Sequence, residues 1–160
     1  MTLALGIDPG TATTGYGLVR LMPDGELVAV DFGVILTPKD ATPSARLVML
    51  FDELNKILKK HKPDTSAVEK LFFSKNVTTG LAVGQARGVI LLALEKAKIP
   101  AYEYTPNEIK QAVAGYGSAE KRQVQEMVRA LLQLKTIPKP DDAADALAVA
   151  ITHLNTTRYE

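Results

Sequence analysis

MTLALGIDPGTATTGYGLVRLMPDGELVAVDFGVIL, residues 1–36, decides the fold. Residues 3–8 form a short apolar run that stops at Pro9-Gly10. Residues 16–22 follow a Gly/Thr-rich turn and close at the turn signal Pro23-Asp24-Gly25, and residues 26–36 make a third run. Proline presets φ and glycine accepts backbone conformations closed to other residues, so both punctuate strands rather than continue them. Three runs of this length joined by short turns predict an antiparallel meander.

Beyond residue 36 the period changes. Leu47, Leu50, Phe51, Leu54, Ile57 and Leu58 recur at helical spacing after Pro43, and the helix ends in Lys59-Lys60-His61-Lys62 before Pro63, where cations suit its dipole. Residues 65–69 read as a fourth strand, 78–97 as an apolar helix and 101–104 as a fifth strand. Helices follow at 106–114, 119–134 and 142–155. A meander followed by strand–helix alternation predicts an α/β fold: one mixed five-stranded sheet with helices on both faces. With no repeat or linker, residues 1–160 read as a single domain.

Composition narrows the function classes. The chain has 160 residues, 46% of them hydrophobic and 23% charged; a chain this long buries about 70% of its unfolded surface. The absence of cysteine excludes disulfide scaffolds, thiol chemistry and zinc ribbons. The start of the chain lacks the basic and long apolar regions of a signal peptide, and the later apolar run 89–94 is too short for a bilayer, so a cytoplasmic protein without membrane association is expected. The formal net charge is +1, but residues 70–139 hold eleven basic and five acidic residues, a local excess of +6. That excess predicts a positive surface for a polyanion beside a separate set of carboxylates; the alternative is an uneven but solvated surface.

Four carboxylates stand out by position. Asp8 closes the first strand and Glu69 the fourth, while Asp142 and Asp145 share one face of the last helix by their i, i+3 spacing. Neighbouring strand ends bring Asp8 and Glu69 together, and that helix can pack across them. Carboxylates so close repel one another unless a cation neutralises them. An all-oxygen site favours a hard cation, Mg²⁺ or Mn²⁺, over zinc. Two such ions can activate water and stabilise a leaving oxygen in phosphodiester hydrolysis. The duller alternatives are a turn cap for Asp8 and complementing of the helix dipole for Asp142 and Asp145. Asp141 reads as the N-cap of the last helix, and His61 and His153 as surface or packing residues.

GIDPGTATTGYG at 6–17, AVEKLFFSKN at 67–76, GQARG at 84–88, GYGSAEK at 115–121 and DDAADALAVAITH at 141–153 resemble, block by block and in order, the RuvC family. These are crossover-junction endonucleases, bacterial Holliday junction resolvases with a ribonuclease-H-like fold. The resemblance implies a homodimer that uses two Mg²⁺ ions per active site, with Mn²⁺ able to substitute, to nick opposing strands of four-way junction DNA symmetrically. It assigns catalysis and metal binding to Asp8, Glu69, Asp142 and Asp145. It further implies cooperation with a branch-migration helicase of RuvA and RuvB type.

The remaining motif residues fit that expectation physically. Phe72 and Phe73 follow Glu69 in an expected loop, where an aromatic ring can stack on an unpaired base; the alternative is a core anchor. Lys75, Arg87, Lys110, Lys121 and Arg122 are candidate phosphate contacts, and Lys110 and Lys121 match basic positions near the scissile phosphate in the family. Ser118, in a glycine-flanked turn, is a further DNA contact and a candidate cap for the next helix. Helix 78–97, dotted with small residues, packs either on a second copy of itself or on its own sheet. GIDPGTATTG also resembles the phosphate hairpin of actin-like ATPases and sugar kinases, but those need two such domains and this chain holds one. A catalytically silent nucleic-acid-binding module is the third reading, and retention of all four acids argues against it.

Overall fold

A computed structural model describes residues 1–10, 12–70 and 77–158. The meander is present as β1 (Thr2–Asp8), β2 (Thr13–Leu21) and β3 (Leu27–Leu36). It is followed by α1 (Pro43–His61), β4 (Thr65–Glu69), α2 (Val77–Lys96), β5 (Ala101–Tyr104), α3 (Pro106–Ala114), α4 (Lys121–Leu131) and α5 (Asp141–Thr157). The strand order is β3-β2-β1-β4-β5, with β1–β2 and β2–β3 antiparallel and β4 parallel to both β1 and β5.

The period of two in β1 sorts the sheet into its two faces. Leu3, Leu5 and Ile7 join Leu50 and Leu54 of α1 and Ile90 and Leu94 of α2 in one core. Ala4 points the other way, into a core with Ala67, Leu147, Ile151 and Leu154, which α3 and α4 close through Ile109, Val113 and Val128. Helices therefore cover both faces, as the alternation predicts.

Helix α5 is the most deeply seated of these elements. From Ala143 to Leu154 every residue except Asp145 is buried. Its bed is made of glycines. A Cβ on Gly6 would stand 2.1 Å from the Ala146 carbonyl oxygen, one on Gly15 2.0 Å from that of Asp142, and one on Gly17 2.8 Å from the Leu147 side chain. Gly6 and Gly17 face each other across the β1–β2 ladder, and Gly15 lies opposite Asp8. The helix thus rests on bare backbone, closer than any side chain would permit.

Three local expectations are corrected. Strand β2 begins at Thr13 rather than at residue 16, because Thr13, Thr14 and Gly15 pair with Leu36, Ile35 and Val34 of β3. The N-cap of α5 is Pro140 rather than Asp141: its extended backbone (φ −71°, ψ 176°) suits a cap, and its carbonyl accepts from Ala143 N–H at 2.9 Å. Asp141 instead stands in the first turn. Ser118 does not cap α4, which starts later than residue 119; Glu120 occupies the cap, its N–H bonded to the Gln123 side chain at 2.8 Å. The helix stops at Leu131, short of residue 134, where Gln133 turns to a positive φ of 54°. Among the described residues no helix is long and apolar enough to cross a membrane.

Candidate functional site

Parallel pairing of β1 with β4 ends at Ile7↔Val68, so Asp8 and Glu69 stand next to each other at the ends of the two strands. The glycine bed sets the first turn of α5 directly over them. Carboxylate oxygens of Asp8, Asp142 and Asp145 lie within 4.8 Å of one another, and Glu69 is hydrogen-bonded to Asp8. The four acids expected from the sequence are therefore brought together.

Their electrostatics are those of a site built for a cation. Burial, then the charges of Glu69 and Asp145, push the Asp8 carboxyl up to about 9. Glu69 and Asp145 are also raised, above all by burial, and the contact of each with Asp8 offsets part of that rise, so the cluster shares protons rather than carrying its full negative charge. Three carboxylates held so close, with only oxygen donors, fit a hard divalent cation, whose charge would replace those protons.

Two lysines stand beside the acids. Lys110 and Lys121 line one cavity of about 240 Å³ with Glu69 and Asp145. The Lys121 ammonium is 3.5 Å from Asp141 and 3.7 Å from Asp145. Partial burial works against its charge, but Asp145 and Asp141 outweigh that effect and raise its pKa. Lys110 is placed by α3, whose Thr105–Glu108 capping box (Glu108 N–H to Thr105 Oγ1, 3.1 Å) fixes the helix start.

The other expected DNA contacts divide. Ser118 is exposed, and the 76%-exposed Arg122 lies 3.8 Å from Glu126, leaving both on the open surface near the lysines' helices. Arg87, expected as a phosphate contact, has partners within the protein. Its side chain is only 13% exposed, ion-paired with Glu103 and bonded to the Glu69 carbonyl at 2.8 Å. Phe72, Phe73 and Lys75 lie outside the described residues.

The histidines belong to packing, as read from the sequence. His61 pairs with Asp31 at 2.9 Å, and buried His153 is hydrogen-bonded by Thr65 and Tyr104, both at 2.8 Å. The inner face of α2 is spent on the core through Ala86, Ile90, Ala93 and Leu94. Its outer face leaves Leu81 60% and Leu92 53% exposed, with open space above Gly88.

What the sequence reading did not show is the glycine bed and the internal partners of Arg87. The first had a signal: Gly15 and Gly17, two apart in a strand, point to the same face. The second had none, because a basic residue does not announce its partner.

A family model described as Crossover junction endodeoxyribonuclease RuvC matches residues 4–153. The protein named Crossover junction endodeoxyribonuclease RuvC in Chloroflexus aggregans is 60% identical over 153 residues, covering 96% of this chain and 93% of that one. The solved structure of T. thermophilus RuvC in complex with Holliday junction substrate is similar with a TM-score of 0.94 at 34% identity, over 99% of this chain and 96% of that one. The yeast mitochondrial Holliday junction resolvase Ydc2 (TM-score 0.69, 16% identity, 98% and 82% covered) shares the fold, which is ribonuclease-H-like.

Proposed function

The chain belongs to the RuvC family of crossover junction endodeoxyribonucleases, and we propose that it resolves four-way DNA junctions by paired nicks in opposing strands, in homologous recombination and DNA repair. The observation that carries this reading is the cluster of Asp8, Asp142 and Asp145, with Glu69 bonded to it and Lys110 and Lys121 on its wall.

Asp8, Glu69, Asp142 and Asp145 would hold two Mg²⁺ ions, with Mn²⁺ as a substitute. When bound, such ions supply an activated water and stabilise the charge that develops on the phosphodiester oxygens. Holding such an ion would require Asp8 without its proton, which the raised pKa resists at low pH, so binding would strengthen as pH rises. Lys110 and Lys121 set positive charge beside the acids, where the scissile phosphate has to enter. Ser118 and Arg122 extend that surface along the phosphates; Lys75 as a phosphate contact and Phe72 and Phe73 as base-stacking residues are carried by the sequence resemblance alone.

Each chain carries one such cluster among its described residues, whereas resolution needs two cuts related by the junction's two-fold axis. A homodimer through the outer face of α2 supplies the second cut. The resemblance adds a branch-migration helicase of RuvA and RuvB type as a partner, and the cytoplasm is the expected place of work.

The deciding experiment incubates the protein with a synthetic four-way junction, a linear duplex and a single strand, with and without Mg²⁺. Symmetric nicking of the junction alone, dependent on Mg²⁺, is expected. Equal cutting of linear duplex would overturn the junction-selective reading.

A further inference from the structure

Glu69 ends β4, and its main chain needs a partner that the sheet does not provide. Ser66 and Lys70 send their N–H groups toward β5, to the carbonyls of Pro100 (2.9 Å) and Tyr104 (2.8 Å). Peptide groups alternate edges along a strand, so those of Ala67 and Glu69 turn toward β1. The register Ile7↔Val68, carried one step further, sets Asp8 across from Glu69. A parallel ladder then calls on the N–H of residue 9 to reach the Glu69 carbonyl. Residue 9 is proline and has no N–H to give.

Arg87 fills that gap from α2. Its Nη1 donates to the Glu69 carbonyl at 2.8 Å, while Nη2 is paired with Glu103 of β5. Glu103 lies opposite Val68 in the β4–β5 register, next to the end of the strand. Asp8, Pro9, Glu69 and Arg87 line one cavity of about 230 Å³. A guanidinium presents several donors in a rigid plane, so one group can hold a carbonyl and a carboxylate at once, which a lysine cannot do in the same geometry.

We propose that Arg87, steadied by Glu103, is a positioning residue for Glu69: it supplies the main-chain donor that Pro9 cannot, and so fixes the Glu69 carboxylate at the end of β4. The proposal rests on Glu69 being a metal ligand. It replaces the phosphate contact expected for Arg87, since the guanidinium is already spent on two partners within the protein.

The test uses DNA-free binding of Mn²⁺ by calorimetry, together with the salt dependence of junction binding in Ca²⁺. Outer-shell partners of metal ligands are worth about 10- to 100-fold in metal affinity. Arg87→Gln and Glu103→Gln are each expected to weaken Mn²⁺ binding by about tenfold or more at that scale and to leave the slope of log affinity against log salt unchanged. Adding Pro9→Ala to Arg87→Gln restores an N–H to the ladder and is expected to recover part of the loss. A slope lower by about one, the signature of a lost phosphate contact, with Mn²⁺ binding intact would overturn the proposal. Should Arg87→Gln fail to fold, Glu103→Gln decides alone by the same two readouts. Glu69→Gln is the control: normal Mn²⁺ binding there removes the metal-ligand reading itself, whereas loss there with normal binding in Arg87→Gln and Glu103→Gln removes only the positioning role.

Discussion

Asp8 lies opposite Gly15 across the β1–β2 ladder, and a Cβ on residue 15 would stand 2.0 Å from the carbonyl oxygen of Asp142. The hydrogen that glycine has in place of a side chain is therefore what lets the first turn of α5 reach the end of β1. Without it Asp142 and Asp145 could not share a site with Asp8.

Gly15→Ala should consequently damage the site and the fold together. Forcing a methyl group into a packed interior typically costs about 1–3 kcal/mol, which at this chain length is a loss of roughly 2–12 °C in Tm. Cleavage should fall further than that loss explains, because α5 has to lift away from Asp8. Wild-type Tm and cleavage rate in this variant would count against the close seating of α5.

The carboxylates themselves should separate chemistry from binding. Asp8→Asn, Glu69→Gln, Asp142→Asn and Asp145→Asn each remove a negative charge without enlarging the side chain. Cleavage of a four-way junction is expected to drop by more than the about 10- to 100-fold that partners of a metal ligand are worth, while gel-shift affinity stays within a few-fold. Any one variant that cuts at the wild-type rate loses its assigned role.

Proton linkage gives a third expectation, for the metal-free protein. The folded pKa of Asp8 is raised from 3.8 to about 9. A group whose folded pKa is raised contributes stability that is fully present below the unfolded pKa and is lost as pH rises through the folded one. The window thus runs from about pH 4 to pH 9. Buried His153, lowered by its burial, works the other way below its usual 6.5, so the comparison has to be with a variant. In EDTA, Asp8→Asn should gain Tm relative to wild type, and increasingly so from pH 5 to pH 9; saturating Mg²⁺ should reverse the order. A pH-independent difference in Tm would show that Asp8 is not held protonated.

Leu81→Glu with Leu92→Glu tests the outer face of α2. Both side chains are more than half exposed, so the folded protomer should keep its Tm within about 1–2 °C, as surface changes away from packed features are nearly neutral. Sedimentation should show a monomer that nicks one strand of a junction but does not resolve it. A stable dimer in this variant would place the interface elsewhere.

Much of the architecture was legible because it rests on periodicity. The alternation of Leu3, Leu5 and Ile7 and the helical spacing of Leu50, Leu54 and Leu58 each survive as a buried face. The four acids were legible for a related reason: a charged residue closing an apolar run is conspicuous. Residues 13–15 were not, since Thr-Thr-Gly reads as a turn by local propensity, whereas the strand there is sustained by partners on both sides and by a helix that needs the glycine. Asp141 was misassigned because an aspartate at a helix start is locally a better cap than the proline before it, which has no capping side chain. Arg87 shows the limit most sharply, since its partner Glu103 and the missing donor of Pro9 come from segments far away in the chain.

The four acids come from separate parts of the chain, one from the first strand, one from the fourth and two from the last helix, and that helix also fills much of one core with Leu147, Ile151 and Leu154. During synthesis, which exposes the N-terminal part first, strands β1 to β4 emerge with Asp8 and Glu69 but without their lid of buried apolar residues. On the proposed assignment of these acids, cutting DNA is deferred until the last segment docks: a half-made copy would be blunt, and the act that completes its interior would be the same act that arms it.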